Sequence, residues 1–218
     1  MEMMENIDTL FLDLGGVLLT GGWDRNSRQK AVREFSLEKD EVQERHQLLF
    51  EGFEKGKFNL DEYLKWVIFF RERPFSKNDF RHFMFDQSRA LPGMIPMIRK
   101  IKHYYGLKTV VISNESRTLA EYRIRKFKLA EFVDLFVFSC FVQSRKPETD
   151  IYRIALDVSQ ADPRHVAYLD DREIFVEVAR SLGIEGILHT GYESTRKALA
   201  NLGLSMPGRD ETATNECG

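Results

Sequence analysis

Apolar residues in this chain follow two different spacings, and the balance between them shifts with position. From residue 108 onward, short apolar runs alternate with helical patterns. Lys108-Thr109-Val110-Val111-Ile112 is a β-branched run, and Ala120, Ile124 and Phe127 follow it at i, i+4 and i+7. Residues 134–138 are apolar again, and 149–157 read as helix. His165-Val166-Ala167-Tyr168-Leu169 forms the next strand, and Ile174, Val178 and Leu182 recur at helical spacing after it. A strand at 186–188 and a helix at 195–202 close the series. Strands that alternate with helices in this way predict a parallel sheet with helices on both faces.

The first strand, Thr9-Leu10-Phe11-Leu12, is separated from that series by a stretch with no strand pattern. Residues 22–90 carry both tryptophans and much of the phenylalanine, and 42–53, 60–71 and 77–88 read as helices punctuated by Gly56 and Pro74. The expected organisation is an α/β core of residues 1–21 and 91–204, Rossmann-like, with residues 22–90 inserted as a small helical cap over the strand ends. The aromatic load of the insert reads as the core of a small bundle. From Ser205 to the C-terminus the chain is polar and is expected to be disordered.

The 218 residues suit one α/β domain with an inserted subdomain. Charged residues make up 30% of the chain yet nearly cancel, so the net charge of −2 provides no field to hold nucleic acid or an acidic membrane. The longest apolar stretches fall far short of the roughly 20 residues that span a bilayer. The N-terminal Met1-Glu2-Met3-Met4-Glu5-Asn6 lacks the basic-then-apolar order of a secretory signal. Cys140 follows an apolar run and reads as buried and inert, Cys217 lies in the tail, and the pair suggests neither a disulfide nor a metal site. A cytoplasmic location is the expectation.

Four groups at the carboxyl ends of the strands could carry chemistry, since open parallel sheets collect ligands there. Asp13 ends the first strand, and Gly15-Gly16 after it free the backbone to curl its N–H groups around an anion. Such a carboxylate can attack phosphorus, although an Asp-Gly turn alone would look similar. Ser113-Asn114 ends the next strand and could donate to a phosphoryl oxygen, or could serve as an ordinary helix N-cap. Lys146, in Arg145-Lys146-Pro147-Glu148, could neutralise charge on a transferring phosphoryl group or be a solvated loop residue. Asp170-Asp171 ends a buried strand, where adjacent carboxylates repel unless a cation joins them; oxygen-only ligands select Mg²⁺. Asp171 could instead cap the next helix.

In this order and placement the four groups resemble the haloacid dehalogenase (HAD) superfamily from about Asp8 to Leu204. Asp13 matches its motif I aspartate, Ser113 its motif II hydroxyl, Lys146 its motif III lysine and Asp170-Asp171 its motif IV acid pair. The insert is similar to a C1-type cap, with Glu54-x-Gly56 and Asp61-Glu62-Tyr63 as its signature. Asp13-Leu14-Gly15-Gly16-Val17 with Arg145-Lys146-Pro147 looks like the subgroup of sugar-phosphate phosphatases and epoxide hydrolase phosphatase domains. The resemblance implies hydrolysis of a small phosphorylated metabolite through an aspartyl phosphate on Asp13. It implies Mg²⁺ on Asp13, the Gly15 carbonyl and Asp170, with Asp171 ordering its waters or joining it. It places the phosphoryl oxygens on Leu14 and Gly15 N–H, Ser113, Asn114 and Lys146.

Three positions depart from the pattern. Phosphatases of the family usually carry a second aspartate two residues after the nucleophile, as general acid and base; here it is Gly15. Phe141 and Gln143 replace a usual glutamate and glycine, and Phe175 replaces a usual asparagine. The competing readings are a catalytically weak binding protein and a metal-free haloacid dehalogenase, for which the acid pair has no use. In the cap, His46, Arg71, Arg73, Arg81 and His82 are candidates for substrate selection.

Overall fold

The structure is a computed structural model that describes residues 6–207. Five parallel strands form one sheet: β1 (Thr9–Leu12), β2 (Lys108–Ser113), β3 (Leu135–Phe138), β4 (Val166–Asp170) and β5 (Glu185–Leu188), in the order β3-β2-β1-β4-β5. All four residues of β1 and all five of β4 are buried, as continuous apolar runs covered on both faces should be. Alternation along β1 still sorts side chains by face. Leu10 and Leu12 join one core with helices α5 (Met94–Tyr105), α6 (Arg117–Lys126) and α10 (Tyr192–Asn201). Phe11 joins the opposite core with α8 (Thr149–Ser159) and α9 (Glu173–Ser181).

A helical insertion lies between β1 and α5: α1 (Arg25–Glu34), α2 (Lys39–Glu54), α3 (Leu60–Val67) and α4 (Lys77–Asp86). Asn59 and Ser76 open α3 and α4 with reciprocal capping boxes, each cap being worth about 1 kcal/mol. The insertion has its own apolar core of Trp23, Phe53, Tyr63, Phe80 and their neighbours, with Phe53 and Tyr63 stacked at 4.0 Å. Thr20 and Arg89 lie side by side where the chain leaves and re-enters the sheet domain, joined by Thr20 N–H to the Arg89 carbonyl at 2.8 Å.

The pattern in the sequence missed three helices, α1, α5 and a short one after β3, and part of one face. Helix α1 buries only Ser27 and Ala31, so no apolar stripe marks it. Helix α5 has Met94, Met97, Ile98 and Ile101 inward and is a further element beyond those the pattern named. In α9 the spacing of Ile174, Val178 and Leu182 marked only the flank of the inward face, where Val178 and Leu182 pack partly buried against the core. Ile174 is 53% exposed, and Phe175, Val176 and Ala179 are the buried residues. The short helix α7 (Ser139–Val142) follows β3 and buries Cys140. Leu204, the last residue expected in the core, is buried, and within the expected tail the Ser205 carbonyl accepts from Tyr105 Oη at 3.1 Å, while residues 208–218, Cys217 among them, lie outside the described residues. Residues 1–5 lie outside them as well. No helix among the described residues is long and apolar enough to cross a membrane.

Candidate active site

Strand order explains why the chemical groups meet. Leu12 pairs with Leu169 on one side and Val111 on the other, so Asp13 emerges between the ends of β4 and β2. The chain runs from β1 outward through β2 and β3, then returns to place β4 on the other side of β1. Ligands bind at such a reversal, beyond the carboxyl ends of the strands. A cavity of about 420 Å³ opens there and is lined by Asp13, Gly15, Ser113, Asn114, Lys146 and Asp171 from the core, and by cap residues including Trp23, Arg28, His46 and Phe50.

Lys146 is 1% exposed and stands at the centre of the site. Its Nζ donates to Asp13 Oδ1 at 2.7 Å, to Asp170 Oδ2 at 2.6 Å and to Tyr168 Oη at 3.1 Å. Burial pulls its pKa down, but Asp13 and Asp170 outweigh burial and hold it above the usual lysine value. The Tyr168 hydroxyl donates to Asp170 Oδ2, and the Arg172 N–H donates to Asp170 Oδ1 at 2.8 Å. Asn114 spends its side chain on the main chain of Lys146: Oδ1 accepts from the Lys146 N–H, and Nδ2 donates to the Lys146 carbonyl, both at 2.8 Å. Phe175 places its ring under the ammonium, 5.0 Å from Nζ. Asn114 and Phe175 thus position Lys146 from two sides.

Asp13 is buried, and desolvation raises its carboxyl to about 6 against the pull of Lys146. One carboxylate oxygen each from Asp13, Asp170 and Asp171 lies within 4.8 Å of the others. Three carboxylates facing one ammonium leave excess negative charge, and oxygen-only donors suit a hard divalent ion, so the residues fit Mg²⁺. The Leu14 carbonyl accepts from Leu18 and Leu19 N–H, which fixes the turn carrying Gly15 and Gly16. Ser113 is buried at the end of β2.

Three simpler readings of these residues do not fit the geometry. The N-cap of helix α6 is Ser116, so Ser113-Asn114 does not cap it. The N-cap position of helix α9 is Arg172, with no side-chain cap, so Asp171 does not cap it. Lys146 is not a solvated loop lysine.

The cap signature forms the seam with the core. A Cβ on Gly56 (φ +72°) would lie 2.7 Å from the Cys140 carbonyl of α7, so glycine permits the close approach. Ser139 Oγ donates to the Glu54 carbonyl at 2.7 Å, and Arg145 Nε donates to the Glu54 carboxylate at 3.0 Å. Gln143 accepts from Lys57 Nζ at 2.6 Å, and Phe141 lies half-exposed beside it.

Of the five cap candidates, only His46 lines the cavity. Its Nδ1 pairs with Tyr63 Oη at 2.8 Å, and burial with Arg28 lowers its pKa to about 3, so it is neutral at pH 7. Arg71 pairs with Glu41, Arg81 with Asp61 and Arg73 with the Ile68 carbonyl, and His82 is exposed. Glu115 and Arg123 line the cavity without having been singled out in the sequence. Arg123 Nη1 donates to Glu115 Oε2 at 2.7 Å, Nε to Ser88 Oγ at 3.1 Å and Nη2 to the Thr20 carbonyl at 2.9 Å. Burial raises the Glu115 carboxyl to about 7 against the pull of Arg123. A glutamate directly after Ser113-Asn114 was the available signal.

This chain belongs to the haloacid dehalogenase-like hydrolase family, whose model matches residues 7–183. It is 30% identical over 102 residues to a phosphorylated carbohydrates phosphatase of Thermotoga maritima, covering 45% of this chain and 47% of that one. It is 38% identical over 61 residues to bifunctional epoxide hydrolase 2 of Rattus norvegicus, covering 28% of this chain and 11% of that one. The alignments therefore span less than half the length of either relative. In three dimensions it is similar to a HAD family enzyme of Bacteroides thetaiotaomicron in complex with magnesium and inorganic phosphate, with TM-score 0.71 and 21% identity, covering 86% of this chain and 96% of that one.

Proposed function

We propose that the chain is a Mg²⁺-dependent phosphatase that hydrolyses a small phosphate monoester through an aspartyl phosphate on Asp13. The observation that carries this reading is the ammonium of Lys146 held between Asp13 and Asp170 at a strand-end cavity. Asp13, Asp170, Asp171 and the Gly15 carbonyl are the oxygens that would hold Mg²⁺, which when bound neutralises phosphoryl charge. Lys146, Ser113 and the N–H groups of Leu14 and Gly15 hold the phosphoryl oxygens. An Asp13 oxygen bonds to phosphorus as the bond to the alcohol oxygen breaks, and water then cleaves the aspartyl phosphate. Charge in such a transfer is spread over three oxygens, so positioning and electrostatics supply most of the acceleration. The phosphatase named among the relatives supports a phosphorylated metabolite as substrate.

The departing oxygen needs a proton, and residue 15 has no side chain to give it. Arg123 Nη1 lies 3.6 Å from where a Cβ on Gly15 would be, and Glu115 lies 2.7 Å beyond it. Glu115 is therefore our choice for the group that protonates the alcohol and later takes a proton from the attacking water. His46, neutral at pH 7, has no proton of suitable acidity.

Phosphate release from para-nitrophenyl phosphate, with and without Mg²⁺, tests the reading. Wild type should turn over only with the metal, and Asp13→Asn should lose at least about a thousandfold with an unchanged melting curve. Activity of Asp13→Asn within tenfold of wild type would sink the role given to Asp13, and no release by wild type would sink the phosphatase reading.

A further inference from the structure

Helices α1 and α2 enclose a groove of about 310 Å³ in the cap, and Arg25, Arg28, Gln43 and Gln47 line both this groove and the Asp13 cavity. Arg25 and Arg28 with Lys39 give the groove three cations. Its other lining groups are glutamine amides and two valines, with no carboxylate. Helix α2 does carry acids at Asp40, Glu41, Glu44, Glu51 and Glu54, but none of them lines the groove. Among the described residues, no carboxylate lies within ion-pair distance of Arg25, Arg28 or Lys39, whereas the arginines and lysine nearer Asp13 are paired. Arg123 holds Glu115, Arg145 holds Glu54, and Lys146 holds Asp13 and Asp170.

Arg28 shows the imbalance most clearly. Its Nη1 donates to the Trp23 carbonyl at 2.9 Å, but its Nε is buried with no acceptor. Burial lowers its pKa, and the charges of Asp24 and Glu54 offset this only in part. A partly desolvated guanidinium with an unused donor is costly until an anion approaches. The same chain is weakly acidic overall, so the concentration of positive charge here is local.

We infer that the groove between α1 and α2 is a binding subsite for a second anionic group on the substrate, a carboxylate or a second phosphate remote from the phosphoryl group attacked at Asp13. The substrate class is a phosphomonoester with an anion at its far end. This rests on the phosphatase reading for the orientation of the substrate. Arg25 and Arg28, which line both cavities, and Lys39, which lines the groove alone, are the cations that meet its far anion.

The test separates binding from turnover. Calorimetry on the Asp13→Asn protein with Mg²⁺ compares two matched pairs, glucose 6-phosphate with 6-phosphogluconate and fructose 6-phosphate with fructose 1,6-bisphosphate. The member with two anionic groups in at least one pair should bind about tenfold more tightly, which is the size expected of one well-placed charge-assisted contact. The first pair reports a carboxylate and the second a phosphate. Arg28→Gln and Lys39→Gln should each shrink that ratio, and Arg28→Lys should retain part of it; reading a ratio within one variant cancels any general weakening. Equal affinities within both pairs, no measurable binding of either member with two anionic groups, or a preference that survives both substitutions overturns the assignment. Phosphate release from para-nitrophenyl phosphate by wild type stands or falls independently, so failure of the subsite and failure of the phosphatase reading are distinguishable.

Discussion

A Cβ on Gly16 would lie 2.3 Å from Oδ2 of Asp171, and Gly16 has φ +101°. Both the carboxylate's place against the turn and the turn itself therefore need glycine at this position. Gly15 needs neither: its φ is not in the left-handed region, and a Cβ there would have ordinary contacts of 3.5 Å or more. Gly16→Ala should cost roughly 1–3 kcal/mol of stability from backbone strain and should weaken Mg²⁺ binding by displacing Asp171. Gly15→Ala should stay within about 1 kcal/mol of wild type. Thermal unfolding and Mg²⁺ titration of the two variants check this, and equal tolerance at both positions would contradict the geometry.

Mg²⁺ binding should strengthen with pH. A ligand carboxylate must be ionised to bind metal, and burial raises Asp13 to about 6. Below that value protons compete with the ion. The rise in melting temperature produced by a fixed Mg²⁺ concentration should therefore be small at pH 5 and grow to a plateau above pH 7. An increment independent of pH would show that Asp13 is not a ligand.

Glu115 makes a separate prediction for the metal-free protein. Its carboxyl titrates near 4.5 when the chain is unfolded and near 7 in the fold, because burial disfavours the charge. Between these values the folded state binds more protons, so this group's contribution to stability falls as pH rises through the window. Asp13 acts in the same direction but only up to about 6. Glu115→Gln should flatten the decline specifically between pH 6 and 7, as read by melting temperature against pH. An unchanged slope there would mean that Arg123 keeps Glu115 ionised throughout.

The same residue decides how the enzyme treats poor leaving groups. With Glu115 donating the proton, rates across a series of phenyl and alkyl phosphates should depend only shallowly on the acidity of the alcohol. Glu115→Gln should steepen that dependence, with simple alkyl phosphates losing about 10² to 10⁴-fold more than activated ones. Gly15→Asp has space at its Cβ but meets the Arg123 guanidinium 3.6 Å away, so it should restore part of the alkyl rate in the Glu115→Gln background. A steep dependence already present in wild type would remove Glu115 from this role and leave Asp13 in its own.

The strands and the order of Asp13, Ser113, Lys146 and Asp170 along them were legible in the sequence. A strand buried on both faces must be a continuous apolar run, and a polar residue that ends such a run stands out against it. The aromatic core of the insertion could be read for the same reason, because apolar area declares itself in composition. Helix α1 could not, since it buries only Ser27 and Ala31, and the inward face of α9 was read only in part, because Ile174 is apolar yet exposed while Val178 and Leu182 flank the core. Pairing between charged groups was the part that only the tertiary structure decided. Arg123 lies in a helix rich in basic residues and looks like a surface residue, but it is 1% exposed because Thr20 and Ser88, 103 and 35 residues away, close around it. Lys146 meets Asp13 across 133 residues, and the cap arginines that reach the cavity are not those that the sequence favoured. Hydrophobic burial depends on local spacing and so leaves a periodic trace in the sequence. The partner of a buried charge depends on which distant segments the fold brings within about 3 Å, and local spacing carries no record of that.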